Sequence, residues 1–131
     1  MPSGGSALRA LPSYTNTALA HGWAVFAADG PPVDASLDSV QLGWGVLSSA
    51  LDQFHRTRPM AKRWPTACAG FSGGAKRSAA VAAALMKDGG QVVGVFMGGC
   101  NEDRATLGWQ LYQPGPRFLS VPLFLSNGAT D

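Results

Sequence analysis

The sequence has few of the residues that bind metal ions or form disulfide bonds. Its 131 residues include two cysteines and two histidines. Cys68 and Cys100 are too far apart in the chain to make a zinc site without other ligands. Their apolar or glycine-rich surroundings favour buried free thiols over a disulfide. We therefore expect no bound metal, and nothing in the sequence implies an organic cofactor.

Long apolar runs are also missing. No stretch reaches the ~18 uninterrupted apolar residues of a membrane-spanning helix. Residues 1–6 do not combine a basic region with an apolar one, so no signal peptide is predicted at this end of the sequence. These absences argue against a membrane span but leave the compartment unknown, with the cytoplasm as the default expectation.

Charged residues make up only 14% of the chain, and the formal net charge is +2. The basic residues are scattered, apart from the pair Lys76 and Arg77 and a group at residues 56–63. We interpret them as solvated surface rather than as a nucleic-acid patch.

Apolar segments that predict strands alternate along the chain with segments that predict helices. Hydrophobic residues make up 46% of the chain, and glycines and prolines separate short elements. Strands are predicted at residues 22–28, 66–71, 91–97 and 121–125; helices are predicted at 7–20 with a break near Pro12, at 35–55, at 75–86 and at 101–112. This order predicts an α/β fold in one domain over residues 1–131: a parallel sheet of about four strands with helices on both faces.

Residues 70–74, GFSGG, fit the pattern G-x-S-x-G directly after an apolar strand and directly before a helix. That context is typical of a nucleophile elbow, in which the serine lies on a sharp strand-to-helix turn at the carboxyl edge of the sheet. Ser72 is then the candidate nucleophile, with positive φ, and the Gly73 N–H is the first oxyanion donor. The alternatives are an ordinary glycine–serine turn and a phosphate-binding loop, although the spacing of a P-loop is missing.

At these residues the chain resembles the α/β-hydrolase family, in the branch of dienelactone hydrolases, polyhydroxybutyrate depolymerases and related esterases. Residues 21–29 resemble the strand that precedes the nucleophile strand, and residues 70–74 resemble the elbow. Residues 121–131 resemble the late strand that leads to the acid of the catalytic triad. The resemblance implies a hydrolase of carboxylic esters or related acyl compounds, with a small ester-like molecule as substrate. It implies nothing about oligomeric state.

The resemblance also implies roles for single residues. Ser72 would be the nucleophile and Asp131 the acid that orients the base. The second oxyanion donor would come from the loop at residues 3–6, with Gly5 as the candidate. Glu102 and Asp103 are alternative acids, and Asp131 has the simpler interpretation of a solvated terminal residue.

The triad base is the missing part of this pattern. The family order is serine, acid, histidine, and no residue follows Asp131. His21 and His55 are expected at the amino edge of the sheet, away from Ser72. A serine without a base attacks an ester poorly. Since the first strands of such a sheet are also missing ahead of residue 1, we expect a hydrolase domain truncated at both ends. A non-catalytic remnant that binds ligand at the elbow, or a peptidase of the same superfamily, are the alternatives.

Overall fold

The computed structural model describes residues 7–28, 40–100 and 105–128. The chain divides into two compact units, residues 1–54 and 55–131. A single domain across the whole chain stays a prediction. No helix in the described ranges is both long and apolar enough to cross a membrane.

Two helices form at the predicted places in the first half of the chain. Helix α1 spans Ala7–Ala20 and helix α2 spans Val40–Thr57. The predicted break near Pro12 is wrong, because α1 continues through this proline. A proline inside a helix removes one backbone hydrogen bond, and here the rest of the helix persists despite that loss. The predicted start of α2, at residue 35, falls within residues 29–39, outside the described residues.

The strand predicted at residues 22–28 does not form. Gly22 adopts φ 75° and ends α1, and the Trp23 N–H donates to the Ala18 carbonyl at 2.8 Å. With the Gly22 N–H bonded to the Leu19 carbonyl at 3.1 Å, this is a Schellman motif. Residues 23–28 continue without strand pairing. Phe26 lies 5.6 Å from Phe54 between ring centroids, yet Trp23 and Phe26 are each 41% exposed, and a strand also needs a neighbouring strand.

The second unit contains a parallel sheet. Its elements follow the order β1 (Thr66–Phe71), α3 (Gly73–Lys87), β2 (Val92–Gly98), α4 (Ala105–Tyr112) and β3 (Leu123–Ser126). The strands lie side by side in the order β1-β2-β3, and both pairings are parallel. The α/β class is thus confirmed, with three strands in the described residues instead of the four predicted.

The strand register aligns the carboxyl ends of all three strands. Phe71, Gly98 and Ser126 are partners across the sheet. Because parallel strands run in one direction, the turns that follow these three residues share one edge of the sheet. That edge carries the candidate site.

One face of the sheet is covered by α3, whose buried residues are small enough to let the helix approach the strands closely. Gly108 of α4 approaches α3 in turn, since a Cβ at this position would lie 3.1 Å from Ala80 Cα. The buried positions of α3 are Ala75, Ser78, Ala79, Ala80, Ala82, Ala83 and Ala84.

The alternate positions of β1 and β2 are exposed. Phe71 is 70% exposed and Phe96 is 38% exposed, whereas Cys68 and Met97, on the covered side, are buried. This alternation is typical of a sheet packed on one face within its own unit. A helix layer on the second face stays a prediction.

Candidate functional site

The turn between β1 and α3 holds Ser72 in an uncommon backbone conformation. Its φ is 55° and its ψ is −119°. In the described part of the chain, the other non-glycine residue with positive φ is Gln113. The positive φ predicted for the serine of a nucleophile elbow is therefore confirmed. Such conformations cost about 1–3 kcal/mol and persist only where the surrounding structure enforces them.

Backbone hydrogen bonds on both sides enforce this conformation. The Ser72 N–H donates to the Gly98 carbonyl at 2.8 Å, which extends the β1–β2 pairing by one residue. The Ser72 carbonyl accepts from the Lys76 N–H at 3.2 Å, which is the first hydrogen bond of α3. The Ser72 side chain makes no capping hydrogen bond to the helix, and the residue is exposed. Its hydroxyl is therefore not used in ending the strand or starting the helix.

Gly70 is required because strand and helix approach closely here. A Cβ at Gly70 would overlap the carbonyl group of Gly74 and would lie 2.6 Å from the Ala75 nitrogen. These atoms belong to the backbone, so they cannot rotate away. A Cβ at Gly74 would meet nothing within 4 Å. The first glycine of the G-x-S-x-G pattern is thus a steric necessity, while the last one is not.

Positive potential surrounds the start of α3. Gly73 is the first helical residue, and the first N–H groups of a helix have no carbonyl partner within it. The helix dipole places partial positive charge at the same point. The first turn contains no acidic residue, and Lys76 and Arg77 follow. This environment suits an oxyanion near the Gly73 N–H.

The same edge is tied together by Asn127, a residue that sequence analysis did not identify. Its side-chain oxygen accepts from the Cys100 N–H at 3.0 Å, and its side-chain nitrogen donates to the Cys100 carbonyl at 3.2 Å. The Gly99 N–H donates to the Ser126 carbonyl at 2.7 Å just before this pair. The Asn127 amide therefore prolongs the β2–β3 ladder beyond the strands. Asparagine after a strand often bonds nearby backbone, but this partner is 27 residues away and leaves no local signal.

Several predicted site residues lie outside the described residues: Gly5, Glu102, Asp103 and Asp131. The structure describes the other two, Ser72 and Gly73, which are neighbours in the chain. His21 belongs to the first unit, and His55 is the first residue of the second unit. The placement of His21 and His55 at the amino edge of the sheet, away from Ser72, stays a prediction.

Both cysteines are free and buried, as expected. Burial raises the pKa of the Cys68 thiol from 9.0 to about 12, so it stays protonated near neutral pH and is a poor nucleophile. Within residues 7–28, 40–100 and 105–128, no cluster of three or more His, Cys, Asp or Glu could hold a metal ion.

One groove of the second unit lies away from the elbow. It has a volume of about 570 Å³ and is widely open to solvent. It contains no residue of the turn around Ser72. Its lining residues are Trp109, Gln110, Gln113, Gly115 and Pro116.

Comparison of the chain with models of protein families, with curated proteins and with solved structures finds no match. The α/β-hydrolase resemblance therefore stays a prediction from the sequence.

Proposed function

We propose that this chain is a serine hydrolase of the α/β-hydrolase kind, acting on carboxylic esters or related acyl compounds through Ser72. The observation that carries the proposal is the positive φ of Ser72 at a turn between a parallel strand and a helix. A serine can join a strand to a helix without this strain. Backbone strain of this kind clusters at active sites, where it presents a side chain to substrate.

The contact between Gly70 and the backbone of Gly74 supports the same conclusion. An ordinary glycine–serine turn has no need for such a close approach. A nucleophile elbow requires this close approach, because the chain must turn from the strand into the helix within one residue. A phosphate-binding loop is disfavoured, since it would wrap several N–H groups around a ligand and would not strain a single serine.

The proposed chemistry uses the edge of the sheet in two ways. Ser72 Oγ attacks the carbonyl carbon of the ester and loses its proton to a histidine base, which Asp131 orients. The carbonyl oxygen takes up negative charge and accepts a hydrogen bond from the Gly73 N–H at the positive end of α3. The alcohol leaves with a proton from the base, and water then hydrolyses the acyl group from Ser72. No metal or organic cofactor takes part in this scheme.

A fluorophosphonate probe tests the nucleophile directly. It should add one phosphonyl group to the chain, located at Ser72 by mass spectrometry after digestion. Ser72→Ala should abolish the adduct. Ser126→Ala is the matched control, because Ser126 is an exposed serine at the same sheet edge, and this variant should keep the adduct. Labelling that is equal in all three proteins, or absent from the folded wild type, would reject Ser72 as the nucleophile.

Turnover of a short p-nitrophenyl ester tests the complete reaction. We expect release of p-nitrophenol that depends on Ser72, at a rate on the order of 10⁴ below that of a complete triad if the base is not in place. Rates that are the same in wild type and Ser72→Ala would mean that the elbow binds ligand without catalysis. The His21→Ala and His55→Ala variants should retain the wild-type rate, because neither histidine is assigned as the base.

A further inference from the structure

Positive charge is concentrated in one stretch of the chain. No Asp or Glu occurs between Asp52 and Asp88. The chain as a whole is nearly neutral, with a net charge of +2, so this stretch stands out from the rest. Its basic residues are Arg56, Arg58, Lys62, Arg63, Lys76, Arg77 and Lys87, and the first four fall within eight positions.

These four residues lie on and beside a short 3-10 helix, Pro59–Arg63, at the end of α2. Two backbone hydrogen bonds stabilise it: the Ala61 N–H donates to the Arg58 carbonyl at 3.0 Å, and the Trp64 N–H donates to the Ala61 carbonyl at 3.1 Å. Ala61 is the buried residue of this segment, at 7% exposure. We call residues 56–64 the basic turn.

The basic turn presents large apolar side chains among its charges. Met60 is 67% exposed and Trp64 is 49% exposed, and the four basic residues are all exposed. Residues three apart in a 3-10 helix lie on the same side, so Met60 and Arg63 project together. The basic turn therefore places two exposed apolar side chains directly beside four exposed cations.

We propose that the basic turn docks onto the surface of an anionic phospholipid bilayer. Basic clusters are attracted to negatively charged headgroups. Trp is the side chain most suited to the headgroup level, with its ring in the apolar boundary and its N–H toward water. Together, Met60 and Trp64 supply the shallow apolar insertion and the cations supply the electrostatic attraction.

A nucleic acid fits this surface less well. Single strands need several aromatic platforms along a basic groove, and the basic turn offers one aromatic ring. Single-strand oligonucleotide binding is therefore an outcome that the test must distinguish.

The basic turn and Ser72 lie at opposite ends of β1. The turn precedes Thr66, where the strand begins, and Ser72 follows Phe71, where it ends. Six residues of strand separate the two by about 20 Å. Docking would therefore leave the sheet edge with Ser72 directed away from the bilayer, and the proposal does not depend on hydrolase activity.

Vesicle flotation of the full chain tests the proposal. We expect binding to vesicles of phosphatidylcholine with phosphatidylserine and little binding to phosphatidylcholine alone. Lys62→Gln should lower the partition coefficient about fivefold. Lys76→Gln removes the same charge from the first turn of α3, at the sheet edge with Ser72 and away from the basic turn, and should lower it less than twofold. Met60→Ser should also weaken binding, and brominated lipids should quench wild-type emission more than that of Trp64→Phe.

Three results would overturn the proposal. The first is no partition into phosphatidylserine vesicles at low salt by a chain that circular dichroism shows to be folded. The second is an equal loss from Lys62→Gln and Lys76→Gln, which would indicate net charge alone. The third is tighter binding of a single-stranded oligonucleotide than of the vesicles in the same buffer, with the oligonucleotide affinity lowered by Lys62→Gln.

Discussion

Replacing Gly70 by alanine should disrupt the turn that holds Ser72. The new Cβ would overlap the Gly74 carbonyl group and lie 2.6 Å from the Ala75 nitrogen. Relief requires α3 to move away from β1. Ala75 and Ala79, which are 0% and 1% exposed, pack in that interface, so the movement would open gaps around them.

The size of the effect follows from this geometry. Overpacking of a core costs typically about 1–3 kcal/mol, and the upper end applies here because the overlapped atoms are backbone and cannot change rotamer. We expect a loss of about 3 kcal/mol in the free energy of unfolding. With a urea dependence of about 2 kcal/mol per molar, the unfolding midpoint should fall by roughly 1.5 M. A chain with less stability than this should lose its cooperative transition altogether.

Gly74→Ala is the matched control, because a Cβ there meets nothing within 4 Å. Alanine in a helix should leave the stability unchanged or raise it by up to ~1 kcal/mol. Urea unfolding followed by circular dichroism, with phosphonate labelling in parallel, measures both variants. The reasoning is refuted if Gly70→Ala has the wild-type midpoint, or if Gly74→Ala loses as much stability as Gly70→Ala.

Two further predictions concern other residues of the second unit. The stability should fall as pH rises from 9 toward 12, because the folded state keeps the Cys68 proton that the unfolded state releases. The free energy of unfolding should fall by up to ~1.4 kcal/mol per pH unit in this range. Urea midpoints should decline less steeply with pH in Cys68→Ala than in the wild type. Equal declines in the two proteins would mean that burial of Cys68 is not the cause. Asn127→Ala should cost roughly 1–3 kcal/mol, since it removes two hydrogen bonds to Cys100. Amide exchange at Cys100 should accelerate more than exchange at Cys68, and unchanged protection at Cys100 would contradict this role.

The elbow was predictable because its signals are local. An apolar run, a small-residue turn and an alanine-rich helix follow one another without interruption, so β1, Ser72 and α3 were placed within two residues of their observed bounds. The positive φ of Ser72 also follows from the pattern, because the chain must reverse direction there. The bounds of β2 were predictable to one residue for the same reason.

Predictions that depended on a partner elsewhere in the chain were less successful. The apolar run at residues 22–28 has the composition of a buried strand, yet Gly22 and Trp23 complete the end of α1 and the run pairs with no strand in the described residues. The role of Asn127 at the sheet edge was not predictable, since it depends on hydrogen bonds to Cys100, which is distant in sequence. Hydrophobic periodicity identifies which residues avoid water and says nothing of which backbone they bond.

The sequence by itself determined the α/β class, the limits of the elbow and the strained serine, since these depend on neighbours within a few residues. Only the tertiary structure decided the order β1-β2-β3, the alignment of Phe71, Gly98 and Ser126 at one edge, and the requirement for glycine at position 70 but not at 74. These features depend on distances between segments that are far apart in the chain. Such distances are set by packing and backbone hydrogen bonding in the folded state, which no local pattern records.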